Sequence, residues 1–85
     1  MQISPAQCRA ARGLIGWSQD QLISALAGSV SKRTLVRFER DETCPQPSTV
    51  NSIKLALEEA GVIFIQEDIE GPGVRLKKVY NSDDE

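Results

Sequence analysis

Apolar residues in the first sixty positions recur at intervals of three and four. Leu22, Ile23 and Leu26 form one set, Leu35 and Phe38 a second, and Val50, Ile53, Leu57 and Ala60 a third. Side chains at these spacings fall on one side of a helix, so the pattern predicts a series of short amphipathic helices. Punctuation divides the series into four. Ser4-Pro5 opens the first, with Ser as N-cap and Pro at the first helical position, where its missing N–H costs nothing. Gly16 ends it, giving a helix over about 4–15. Ser18 caps the second, with Gln21 at capping-box spacing, and Gly28 breaks it, giving about 18–27. Ser31 caps the third, about 31–40. The segment Asp41–Pro47 holds two prolines in three residues and reads as a loop. Ser48 caps the fourth, about 48–60, which Gly61 stops.

After Gly61 the period changes. Val62-Ile63-Phe64-Ile65 is β-branched and aromatic and predicts a strand over about 62–66. Gly71-Pro72-Gly73 is a turn, and the alternation of apolar and basic residues from Val74 to Val79 predicts a second strand, about 74–79. An isolated hairpin is marginal in water, so this one must pack on the helices or pair with another chain. Phe64 and Ile65 are accordingly read as core or as dimer surface. Trp17, at the junction of the first two helices, is read as core. Residues 81–85 are expected to be a disordered acidic tail. The predicted class is mainly α, four helices and a short C-terminal β-hairpin, in one domain over residues 1–80.

Charge changes this picture. The chain carries a net −2, which by itself argues against a polyanionic partner. The charge is unevenly placed, however. Residues 1–40 hold six basic and two acidic side chains, a balance of +4, while residues 41–85 hold four basic and ten acidic, a balance of −6. What matters for binding nucleic acid is where the charge sits. The third helix buries Leu35 and Phe38 and turns outward Lys32, Arg33, Val36, Arg37 and Arg40. A short cationic helix with hydrogen-bonding side chains at its N-terminal end suits the major groove of DNA. Arg33 and Arg37 lie one turn apart on that face, with Lys32 at its start. Thr34 is placed either against a thymine methyl or phosphate or in simple packing. Gln19, near the start of the second helix, is expected to present its amide and nearby backbone N–H groups to a phosphate. Ser18 and Ser31 share the same surface but serve first as caps. Arg9 is read as a surface residue within reach of a phosphate.

Catalysis finds no footing. His is absent, and the carboxylates (Glu58-Glu59, Glu67-Asp68-Glu70 and the tail) read as solvated faces. No phosphate-binding loop or dinucleotide fingerprint occurs. Cys8 and Cys44 have no spacing for a metal and are read as free thiols. No metal, cofactor or small-molecule ligand is implied. No apolar run approaches the ~18 residues of a membrane span. The start, Met-Gln-Ile-Ser-Pro, lacks the pattern of a signal peptide, which predicts a cytoplasmic protein.

At fixed offsets, Arg12 with Trp17-Ser18-Gln19, then Leu22, Val30-Ser31, Thr34-Leu35 and Phe38-Glu39, the chain resembles the lambda-repressor-like (Cro/cI, XRE-type) helix-turn-helix transcriptional regulators. Ala60-Gly61-Val62, Phe64-Ile65 and Gly71-Pro72-Gly73-Val74-Arg75-Leu76 resemble a bacterial subgroup of small one-domain members. The likeness covers roughly residues 4–78. It implies a DNA-binding regulator, a repressor by default, with Lys32, Arg33 and Arg37 at base edges or phosphates. It also implies an Arg12–Glu39 ion pair joining the first helix to the end of the third. The sequence departs from the family in two places. The stretch from Leu22 to Val30 is about two residues longer than the family's turn, and Arg40-Asp41 stands where many members have Gly. A single module buries little DNA surface, so a homodimer on an inverted repeat is expected, joined through strand 62–65 or the fourth helix. The competing expectation is that the fold grips another protein, as an antiactivator or an antitoxin. The acidic C-terminal half and the altered turn motivate it.

Overall fold

A computed structural model describes residues 2–66 and 68–77. In these residues four helices, α1 (Pro5–Ile15), α2 (Gln19–Ala25), α3 (Lys32–Glu39) and α4 (Pro47–Glu59), precede an antiparallel hairpin of β1 (Val62–Ile65) and β2 (Gly73–Leu76). The predicted helix at 4–15 differs from α1 only by its cap. Ser4 Oγ accepts from the Gln7 N–H at 3.1 Å and Gln7 Oε1 accepts from the Ser4 N–H at 2.9 Å, a full capping box. At its far end Gly16 takes a left-handed conformation (φ 70°) while the Trp17 N–H turns back to the Arg12 carbonyl at 2.9 Å. That reversal needs a residue without a Cβ penalty.

Two boundaries correct the sequence reading. Ser48 is not the cap of α4: Gln46 holds that position without a side-chain bond, and Pro47 is the first helical residue. Proline's fixed φ and absent N–H suit that site, so the helix starts earlier than the serine. The second helix stops at Ala25 instead of reaching 27. The long Leu22–Val30 stretch is absorbed in the turn: Ala27 and Gly28 are both left-handed (φ 52° and 87°), and Ser29 closes the turn through its N–H and hydroxyl on the Leu26 carbonyl. The predicted strand 62–66 ends at Ile65, and 74–79 is observed as Gly73–Leu76. The last positions of that prediction, 78 and 79, and the predicted tail 81–85 lie outside the described residues.

The departure at Arg40-Asp41 has a local solution. Asp41 adopts φ 62°, its N–H bonds the Phe38 carbonyl at 3.0 Å, and the Glu42 N–H bonds the Arg37 carbonyl at 2.9 Å. This is a Schellman motif built on an aspartate. A residue with a Cβ bears roughly 1–2 kcal/mol of strain in that region, somewhat less for Asp. Asp41→Gly is therefore expected to stabilise the fold by about 0.5–1 kcal/mol, read as a rise of a few degrees in the thermal midpoint.

One core gathers all six elements. Cys8, Ala11, Leu22, Leu35, Ile53 and Leu57 are inaccessible to solvent, and Val62 and Phe64 extend the core into the hairpin. Phe64 is thus core, Ile65 is half-buried, and Trp17 packs against the cluster. Gln7, 5% exposed, ties the hairpin to α1: its amide nitrogen donates to the carbonyls of Ile65 (3.2 Å) and Gly73 (3.0 Å), the last pair before the turn. No helix is long and apolar enough to cross a membrane among the described residues.

Candidate nucleic-acid interface

The orientation of α3 follows from its two faces. Leu35, Phe38 and Glu39 are buried, while Lys32, Arg33 and Arg37 are exposed and Thr34 is half-buried. Ser31 caps the helix, accepting from the Thr34 N–H at 3.1 Å and donating to Thr34 Oγ1 at 2.9 Å. Thr34 is thereby engaged at the helix start rather than in the core. Ser18 caps α2 in the same manner, with Gln21 completing the box at 3.1 and 2.7 Å.

The buried end of α3 is held by a polar cluster around Glu39, whose side chain is 2% exposed. Arg12 grips its carboxylate with two bonds, Nε to Oε2 at 2.8 Å and Nη2 to Oε1 at 2.7 Å. Cys8 Sγ donates to Oε2 at 3.1 Å and Gln19 Nε2 to Oε1 at 2.9 Å. A third Arg12 bond reaches the Trp17 carbonyl at 3.0 Å. Burial acts to raise the Glu39 carboxyl, but the bonds from Arg12, Cys8 and Gln19 and the Arg12 charge together hold it below the usual carboxylate value. Hydrogen bonding to Glu39 raises Arg12 in turn. Burial, then the bond to Glu39, pushes the Cys8 thiol far up, so Cys8 stays protonated and serves as a donor. Among the described residues no buried side-chain nitrogen or oxygen lacks a partner.

One expected contact changes place, and a surface arginine gains a partner. Gln19, expected to meet a phosphate, spends its amide nitrogen inward on Glu39. Arg9 is exposed, as its reading as a surface residue has it, and it donates to the Glu39 backbone carbonyl and so closes the C-terminal end of α3. Both bonds satisfy acceptors at the end of α3, a buried carboxylate and a terminal helix carbonyl, each of which attracts donors. Cys8 lies one helical turn before Arg12, so its presence beside Glu39 was implicit in the spacing.

The outer face also gathers residues that the sequence did not single out. Arg33, Thr34 and Arg37 line one side of a shallow groove of about 250 Å³, and Thr43 and Pro45 of the α3–α4 loop line the other. Lys32 Nζ lies 2.8 Å from Asp20 of α2, and Arg37 Nε lies 3.6 Å from Glu42. Both pairs are exposed. Arg33 enters no salt bridge among the described residues. The free cysteines, Cys8 buried and Cys44 exposed, do not pair, and no cluster of metal-ligating side chains occurs among the described residues. The arrangement can therefore offer positive charge and hydrogen-bond donors to a ridge or groove of a partner. No family model matches the chain, and no curated protein matches it.

Proposed function

We propose that this chain is a lambda-repressor-like transcriptional regulator that binds duplex DNA in a sequence-specific manner, with α3 entering the major groove. The observation that carries this reading is the outward display of Lys32, Arg33 and Arg37 from a helix whose opposite face is buried through Leu35, Phe38 and Glu39. Eight residues make a rod of about 12 Å, which fits across a major groove of about 12 Å. The guanidinium groups of Arg33 and Arg37 match guanine O6 and N7, and the hydroxyls of Thr34 and Thr43 beside them suit a base edge or a phosphate. Arg12 and Glu39 hold the helix and do not touch DNA. Two copies on a two-fold site supply the affinity that one module lacks, with half-sites about one helical turn apart. With no evident activating surface, repression is the default outcome of binding.

A second reading is supported by the acidic partners of Lys32 and Arg37, which lower the net positive charge of the face. In it the same surface grips another regulator, as an antiactivator or antitoxin does.

Selection from a random pool of duplexes separates the two. The DNA reading expects enrichment of an inverted repeat. It also expects affinity for that site to fall ~40-fold between 50 and 200 mM salt if three phosphates are neutralised. If the folded protein enriches nothing and shifts no duplex at low salt, the protein-binding reading replaces it.

A further inference from the structure

Two cations of the candidate interface are neutralised from within the chain, and each pairing is built by a different element. Asp20 is the second residue of α2, and its carboxylate reaches across the turn to Lys32, the first residue of α3, at 2.8 Å. Glu42 follows α3, and the Schellman motif at Asp41 fixes its backbone so that its carboxylate stands 3.6 Å from Arg37 Nε. Arg33, between them on the same face, has no acidic partner among the described residues.

We propose, resting on the DNA-binding reading above, that Asp20 and Glu42 are specificity-determining residues that suppress sequence-independent DNA affinity. Non-specific binding is driven by counterion release, which depends on the net charge brought to the phosphates. A Lys32–Asp20 pair and an Arg37–Glu42 pair each bring none. A phosphate that approaches either cation also approaches its carboxylate, whose negative charge opposes the polyanion. Base recognition depends on donors rather than net charge. Lys32 has three ammonium hydrogens, and Asp20 occupies one direction. Glu42 faces Nε of Arg37, and both terminal nitrogens stay available for a guanine edge. The pairs therefore subtract from the phosphate contribution while leaving the base-reading donors in place.

The test uses Asp20→Asn, Glu42→Gln and the double variant, each measured against random-sequence duplex and against the selected site over a range of salt. Both positions are exposed, so thermal melts are expected to stay near those of the unmodified chain. Glu58→Gln serves as a control. It makes the same change in net charge on α4, where Glu58 pairs with Lys54. Each single interface variant is expected to bind random duplex about 5–10-fold more tightly near 0.1 M salt, with a log–log salt slope steeper by about one unit, and the double variant to show about twice that change in slope. Affinity for the selected site is expected to rise less, so the ratio of specific to random binding falls. The inference is overturned if the folded variants keep the original random-duplex affinity and slope, if they lose affinity for both duplexes, or if Glu58→Gln produces the same rise. If the unmodified chain binds no duplex, the DNA reading itself fails and takes this inference with it.

Discussion

Arg12→Ala is expected to destabilise the fold by about 3 kcal/mol and to reverse the sign of its response to acid. A domain of 85 residues has a margin of only about 4–13 kcal/mol, so this loss is large. The size follows from which charge is stranded. Arg12 retains 18% of its side-chain exposure, whereas Glu39 retains 2%. Removing the arginine leaves a buried carboxylate with two neutral donors, Cys8 and Gln19, and no cation bonded to it, since Arg9 reaches only the Glu39 backbone carbonyl. Neutral hydrogen bonds offset only part of the cost of a buried charge.

The sign of the pH response follows from the same groups. In the unmodified chain Glu39 titrates below its ordinary value of 4.5. Its contribution to stability is therefore fully present above about 4.5 and is lost as pH falls through the lower, folded value. In Arg12→Ala the largest opponent of burial, the Arg12 hydrogen bonding, is gone together with the Arg12 charge; burial, the largest influence of all, then faces only the Cys8 and Gln19 bonds, and the Glu39 value is expected to rise above 4.5. The folded state then holds a proton that the unfolded chain releases, so the variant is most stable below that window and loses stability as pH rises through it. Urea unfolding of both proteins between acidic and neutral pH reads this directly. Glu39→Gln supplies the reference, since its stability should lack this acid dependence in either background. Parallel pH profiles for Arg12→Ala and the unmodified chain would falsify the account of Glu39 as a charge held down by Arg12.

Local chemistry made much of this molecule legible before its coordinates. Ser4-Pro5 and Gly16 bracket α1 because cap, proline and left-handed glycine each act within one turn. The spacing of Leu35 and Phe38 set the facing of α3, and with it the exposure of Lys32, Arg33 and Arg37. The change of period at Val62 marked the hairpin. What escaped were partners distant in sequence and competitions between two plausible local signals. Gln7 binds carbonyls 58 and 66 positions away, and no spacing rule reaches that far. Gln19 looked outward because a helix start favours anions, yet Glu39, 20 positions on, offers its amide a buried carboxylate. Ser48 has the chemistry of a cap but stands one residue behind a proline that fits the first helical position better. Asp41 shows the reverse case. No glycine stands at the end of α3, and the backbone takes the left-handed conformation with aspartate in place.

The same division between buried support and exposed contact governs the double variant Arg33→Ala with Arg37→Ala. Both side chains are exposed, and the Arg37–Glu42 pair is a surface pair worth about 0–1 kcal/mol, so the melt should move little. On the selected DNA site the loss should be severe. Each bidentate arginine–guanine contact discriminates by about 1–3 kcal/mol, so removing two weakens binding by roughly 30-fold to 10⁴-fold. The singles should be unequal. Arg33 has no acidic partner among the described residues and, on the proposed DNA reading, its removal takes away both a base contact and a phosphate attraction, whereas Arg37 already shares its charge with Glu42. Arg33→Ala is thus expected to flatten the salt dependence by up to about one unit, and Arg37→Ala to relax base preference with a smaller change in slope. Titrations of each variant against the selected site and a randomised duplex, with melts run beside them, distinguish these outcomes from unfolding. A folded double variant that holds the selected site as tightly as the unmodified chain would remove α3 as the reading element.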